Sequence, residues 1–117
     1  MTRKREIINI HKTLIPYEFD IVLDNKRYTF YINYNHRYDY FTVDLSRNQE
    51  QIVNGEKLVY GVQLFVNSRY LDVPKQKLII PLDLTNMFQN VDYLTLGEQV
   101  FLYLFDVDEL EEVNDTL

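Results

Sequence analysis

Residues 17–45 read YEFDIVLDNKRYTFYINYNHRYDYFTVDL, and this stretch decides the fold class. Tyr17, Phe19, Ile21 and Leu23 alternate with Glu18 and Asp20, the period of a strand with one face in a core. Val22 interrupts the polar face once. Asp24-Asn25-Lys26 follows as a turn, because Asn and Asp tolerate left-handed backbone and bond to their own chain. Beyond it Tyr28, Phe30, Ile32 and Tyr34 take one face, and Arg27, Thr29, Tyr31 and Asn33 take the other. A second turn, Asn35-His36-Arg37, leads to a run that puts Phe41, Val43 and Leu45 inside and Thr42 and Asp44 outside. Three strands joined by tight turns form an antiparallel meander, expected at 17–24, 27–34 and 38–45.

Outward from the meander the pattern thins. Residues 6–10 read as a short first strand or arm, on the β propensity of Ile7, Ile8 and Ile10. Residues 46–50 read as a polar loop. Asn54-Gly55 is the favoured two-residue hairpin turn and suggests a small hairpin over 51–59. Residues 61–66 read as a buried strand or an irregular crossover, and 67–76 as a long exposed connection. A strand is expected at 77–84, where Pro81 lacks an amide proton and belongs at an edge or bulge. Residues 85–97 form a helical turn or broad loop. A last strand, 98–105, is apolar on both faces: Val100, Leu102 and Leu104 on one, Phe101, Tyr103 and Phe105 on the other. Such a strand is either covered on both sides or offers an aromatic row to a partner. Seven or eight short strands with almost no helix predict an all-β protein, an antiparallel β-sandwich or flattened barrel.

The chain of 117 residues has the size of one domain, with its core at about 15–105. It carries a formal net charge of -6, with no cysteine and no tryptophan. Disulfides, thiol chemistry and cysteine-based zinc sites are thereby excluded. Six of the 18 acids lie in 106–117, which contains no Lys or Arg, and the other 12 acids balance the 12 bases. A neutral body lacks the positive face that a phosphate backbone requires, so no nucleic-acid partner is expected. No run is apolar enough to span a bilayer, and Asn9, His11 and Lys12 interrupt any leader-like segment at the start. The basic end 1–5 and the acidic tail 107–117 are expected to be mobile.

No constellation for chemistry accompanies the strands. His11 and His36 have no partners at metal-ligand spacing, Ser46 and Ser68 sit in no nucleophile elbow, and Gly55, Gly61 and Gly97 are too far apart for a phosphate loop. Asp106, Asp108 and Glu109 lack the glycine of a calcium loop. Neither catalytic residues nor a metal or cofactor are expected. What the chain has in excess is aromatic side chains, ten Tyr and seven Phe. Tyr31, Tyr38, Tyr40, Phe101 and Tyr103 each lie opposite the main apolar set of their strand and are the candidates for a protein–protein interface. Asp20 and Asp44 are expected near its rim. A sugar-binding platform is the competing use for exposed tyrosines. In the turn, Asn35 is expected to bond to its own backbone, with Arg37 stacked on Tyr34 or Tyr38 and bonded to a carboxylate such as Asp39.

Four segments, FDIVLDNKRYTFYINYNHRYDYFTVDL, NGEKLVYGVQLF, LIIPLDL and LGEQVFLYLF, resemble a family of small structural proteins of tailed bacteriophages, the cyanophage baseplate plug group. Its members share a first hairpin closed by a Leu-Asp-Gly-like turn, a Tyr-Asn-x-Arg turn, and a late hydrophobic strand after a glycine. These fall here on Leu23-Asp24-Asn25, on Tyr34-Asn35-His36-Arg37, and on 97–105. The glycine of the first turn is replaced by Asn25, and a tryptophan often present in the third strand by Tyr40 or Phe41. The resemblance covers about residues 15–105. It implies a non-catalytic β-domain of the tail or baseplate, made in the host cytoplasm and located in the virion, with other tail or baseplate proteins as partners; the aromatic outer faces add a second copy of the chain as a candidate partner. A host-surface or carbohydrate-binding module is the related alternative.

Overall fold

The computed structural model describes residues 5–109. It contains two antiparallel sheets. The larger is a meander in the order β2-β3-β4-β5, built from β2 (Tyr17–Leu23), β3 (Lys26–Asn35), β4 (Tyr40–Arg47) and β5 (Glu50–Lys57). The smaller has the order β1-β7-β6, from β1 (Glu6–Ile8), β6 (Lys77–Leu82) and β7 (Phe101–Asp106). The short first strand therefore pairs with the last strand and not with its neighbour in sequence.

The alternation read from the sequence places the core. Phe30 and Ile32 of β3 and Phe41, Val43 and Leu45 of β4 are fully buried. Phe19 and Ile21 of β2 pack against them. Ile8 of β1 and Leu102 of β7 join the same cluster, so one core spans both sheets. Apolar burial is the main stabilising term here.

The first hairpin turns on Asp24 and Asn25, both with positive φ (55° and 60°), the backbone a two-residue turn between twisted strands requires. Asn25 adopts it without the family's glycine. The turn is also tied to the other sheet. The Asp24 carboxylate accepts from the backbone N–H groups of Lys75 (2.6 Å), Gln76 (3.0 Å) and Lys77 (2.9 Å), where β6 begins. Burial alone would raise the pKa of Asp24, but these donors and Lys26 hold it below the ordinary carboxylate value.

Several expected boundaries move. The third strand begins at Tyr40, because His36–Asp39 form the turn and Asp39 takes φ 57°. The polar loop at 46–50 is a two-residue turn at Asn48-Gln49 (φ 54° and 66°), and β5 then runs unbroken through Asn54-Gly55. The expected hairpin over 51–59 is absent because Gly55, at φ 74°, sits at an irregularity against β4 and donates its N–H to Asp44 Oδ1 (2.7 Å). The sixth strand ends at Leu82 and the seventh begins at Phe101, since 97–99 form a turn in which Gly97 takes φ 83°. Residues 61–64 are an irregular crossover bonded along β6, with Gly61 N–H to Pro81 O (2.8 Å) and Leu64 N–H to Ile79 O (2.9 Å). The connection expected to be exposed at 67–76 buries Val73 and Pro74. Most of the two ends expected to be mobile, 1–4 and 110–117, lies outside the described residues; Arg5 and Glu109, at the boundaries, form an ion pair with each other.

Candidate functional site

The five candidate interface rings do not converge on one patch. Tyr31 and Tyr40 lie on the face of the four-stranded sheet opposite its core residues. Tyr31 sits between Glu18 and Asp44 and is 37% exposed. Tyr40 is half-buried: its hydroxyl accepts from Asn35 Nδ2 (3.2 Å), and the Lys57 ammonium lies 4.7 Å from its ring centroid. Tyr38 is in the turn, 67% exposed, with the Arg37 guanidinium 5.5 Å from its ring centroid. Phe101 and Tyr103 belong to the three-stranded sheet. Of the two expected rim acids, Asp44 holds the Gly55 N–H, and Asp20 accepts from Thr29 Oγ1 (2.7 Å).

The β3–β4 turn is built by its own side chains. Asn35 Oδ1 accepts from the N–H groups of Arg37 and Tyr38, both at 3.0 Å, and Asp39 N–H bonds to Asn35 O (2.8 Å). The Asp39 carboxylate accepts from the Tyr34 hydroxyl (2.5 Å) and from Tyr93 N–H (3.0 Å). The Tyr34 bond is the main reason that Asp39 lies below the ordinary carboxylate value, and it pushes the Tyr34 phenol up to about 12. Arg37 therefore stacks on Tyr38, while Asp39 is taken up by two tyrosines. Tyr34, Phe41 and Tyr93 form a ring cluster with centroids 4.8–6.3 Å apart, and His36 meets Tyr34 edge-on at 4.9 Å. Beside it is a cleft of about 220 Å³ lined by Lys12, Asn33, Tyr34, His36 and Tyr93 among others.

The outer face of the three-stranded sheet carries apolar residues from all three strands, with the Arg5 guanidinium 4.8 Å from the Phe105 ring centroid at one end. Register puts Ile7, Tyr103 and Ile80 in one row and Phe101 and Leu82 in the next. Phe101, Tyr103 and Phe105 follow one another along β7 with centroids 6.2 and 6.5 Å apart. Ile8, Leu102, Leu104 and Ile79 point the other way, into the core or packed against it. This is the strand apolar on both faces that the sequence showed. Burial raises the Tyr103 phenol, with the Asp83 charge adding to it.

One feature escaped sequence reasoning. Residues 84–88 project Leu84 (52% exposed), Met87 (78%) and Phe88 (39%) into solvent. The carboxylate of Asp83, only 3% exposed, holds them in place. It accepts from Thr85 N–H (2.9 Å) and Oγ1 (2.6 Å), Met87 N–H (3.1 Å) and Phe88 N–H (2.9 Å). These bonds, the Thr85 hydroxyl first, keep Asp83 below the ordinary carboxylate value despite its burial. Asp83 is anchored in turn through its backbone to the Tyr60 hydroxyl. The only sequence signal is an Asp two and four residues before backbone it caps, which is common in loops.

Among the described residues no group of three or more His, Cys, Asp or Glu side chains is placed to hold a metal ion. His11 and His36 are both exposed. No helix of the described residues is long and apolar enough to cross a membrane.

No curated protein matches the chain closely. A family model does match, that of the cyanophage baseplate Pam3 plug gp18, over residues 5–108. That span takes in all seven strands, both outer faces and the 84–88 loop, and it places the protein in a structural, baseplate context: the chain belongs to the cyanophage baseplate plug family.

Proposed function

We propose that this protein is a non-catalytic assembly component of a phage baseplate that docks to neighbouring baseplate proteins through an aromatic face. Two packed sheets, acting as a sandwich, leave one outer face on each. The single observation that carries the reading is the double-sided apolar character of β7. Its inner residues Leu102 and Leu104 complete the core, and its outer rings Phe101, Tyr103 and Phe105 are only half-buried, with Ile7 and Ile80 beside them. Burying a face of this kind against a partner removes apolar area from water. Of the five candidate rings, Phe101 and Tyr103 are the contact residues under this reading. Tyr31, Tyr38 and Tyr40 lie among polar neighbours and contribute a secondary, more polar surface.

The test is density in intact tail particles. The protein is expected within the baseplate of the virion, with the outer face of β1-β7-β6 covered by another chain. Absence from particles, or presence there with that face in solvent, would refute the reading. A second reading, a glycan-binding module, draws on the Tyr34–Tyr93 cleft with Asn33 beside it. Binding on a glycan array that is lost in Tyr93→Ala would favour it.

A further inference from the structure

The half-buried sheet face runs into the 84–88 loop along the chain, where β6 ends. Leu82, paired with Phe101, ends the outer row of β6, and the exposed Leu84 follows two residues on in the chain. The apolar side chains of this surface are Ile7, Tyr103 and Ile80 on the sheet and Leu84, Met87 and Phe88 on the loop.

We infer that this surface is a self-association site, and that its occupant is the same surface of a second copy of the chain. The inference rests on the assembly reading above and adds the partner. Area is the first argument. Ile7 (36% exposed), Leu84 (52%), Met87 (78%) and Phe88 (39%) are accompanied by the half-buried outer residues of β6 and β7. With side chains of about 200 Å² each, these offer roughly 600 Å² per copy, or about 1,200 Å² in a pair, the lower bound for a specific stable interface.

The rim is the second argument. Lys77 is paired with Asp106 (2.8 Å) and Glu6 (3.6 Å), and Arg5 with Glu109. Each rim cation already has an acid from its own chain. Two copies related by a two-fold axis bring identical rims together, and these pairs meet without demanding a complement that an identical surface could not provide. Rigidity is the third. Four hydrogen bonds from 85–88 to one buried carboxylate fix the loop before any partner arrives, so little ordering entropy opposes docking.

Sedimentation equilibrium on the full chain tests the inference, with Met87→Ser and Phe88→Ser as probes and Val22→Ser and Gln51→Ser as controls on the other sheet. All four positions are exposed, so the variants keep their fold, and thermal melts verify this. The expected result is a reversible dimer with Kd of about 1–100 μM, weakened roughly tenfold or more by each loop variant and unmoved by the controls. A chain that stays monomeric at roughly 500 μM overturns the inference. So does a dimer whose Kd follows Val22 or Gln51 and ignores the loop. A monomer in solution that is nevertheless found in tail particles leaves the assembly role standing and removes self-association alone.

Discussion

Replacing Asp24 with Asn tests how the two sheets are held together. The carboxylate sits in the β2–β3 turn, yet its three backbone donors come from 75–77, about fifty residues away. Oδ2 takes Lys75 and Gln76, and Oδ1 takes Lys77. An amide has one oxygen, so Asn must either set its NH₂ against the Lys77 N–H or give up the other two bonds. Asn keeps the positive φ of the turn, which isolates the loss of acceptors from backbone strain. Hydrogen bonds to a charged group contribute about 1.5–3 kcal/mol each, and partial exposure reduces that, so a loss of about 2–3 kcal/mol is expected. For a chain of this length the melting entropy is about 0.25 kcal/mol per kelvin, which makes the drop in Tm about 10 °C. The effect carries a pH signature. Because the folded pKa of Asp24 is depressed, its stabilisation is fully present above the unfolded value of about 3.9 and is lost as pH falls through the folded pKa. The gap between wild type and Asp24→Asn, measured by urea unfolding from pH 7 down to 3, should therefore narrow as pH falls below about 4. A gap below about 0.5 kcal/mol at pH 7, or one independent of pH, would refute the account.

Two further outcomes are expected. Spectrophotometric titration should show one tyrosine ionising at about 12, and Tyr34→Phe should remove that step and no other. Asn35→Ala removes the acceptor for the Arg37 and Tyr38 N–H groups, and should lower stability by about 1 kcal/mol in denaturant unfolding while leaving far-ultraviolet circular dichroism β-type.

The parts of the fold that were legible are those where neighbours in sequence are neighbours in space. Alternation from Tyr17 to Leu45 and the Asp-Asn turn gave β2, β3 and most of β4, since each strand pairs with the next. Asn35 was readable for the same reason, as its Oδ1 reaches only two and three residues ahead. Asn54-Gly55 misled because the same dipeptide serves a turn or a bulge, and the partner that decides, Asp44, lies outside the local pattern. Pairing of β1 with β7 was illegible: two short strands nearly a hundred residues apart carry no mutual signal. The candidate surface divides along the same line. Phe101 and Tyr103 were visible from the double-sided pattern of β7. Tyr93 was not, because its backbone is tied to Asp39 across 54 residues. The exposed loop was not either, because Leu84, Met87 and Phe88 follow no period, and only the burial of Asp83 shows that they are held out deliberately by the fold.

Net charge is a poor guide to how this protein meets a partner. Its acids are directed largely at its own donors: Asp24 and Asp83 at three backbone N–H groups each, Asp39 at Tyr34 and Tyr93, Asp44 at Gly55, Glu56 at Phe65, and Asp72 at Lys26 and Arg47. Their oxygens are committed to the fold, and the surface proposed for docking is apolar. Attraction there scales with area and is insensitive to salt. Two whole chains of formal charge -6 still repel at long range, and salt screens that repulsion. Self-association should therefore tighten modestly, by less than about fivefold, when ionic strength rises from roughly 0.05 to 0.5 M. A contact made by opposite charges would weaken over the same range. Sedimentation at the two salt concentrations separates the cases by sign, and a Kd that rises severalfold with salt would show that paired charges, not the Phe101–Tyr103 face and its loop, hold the copies together.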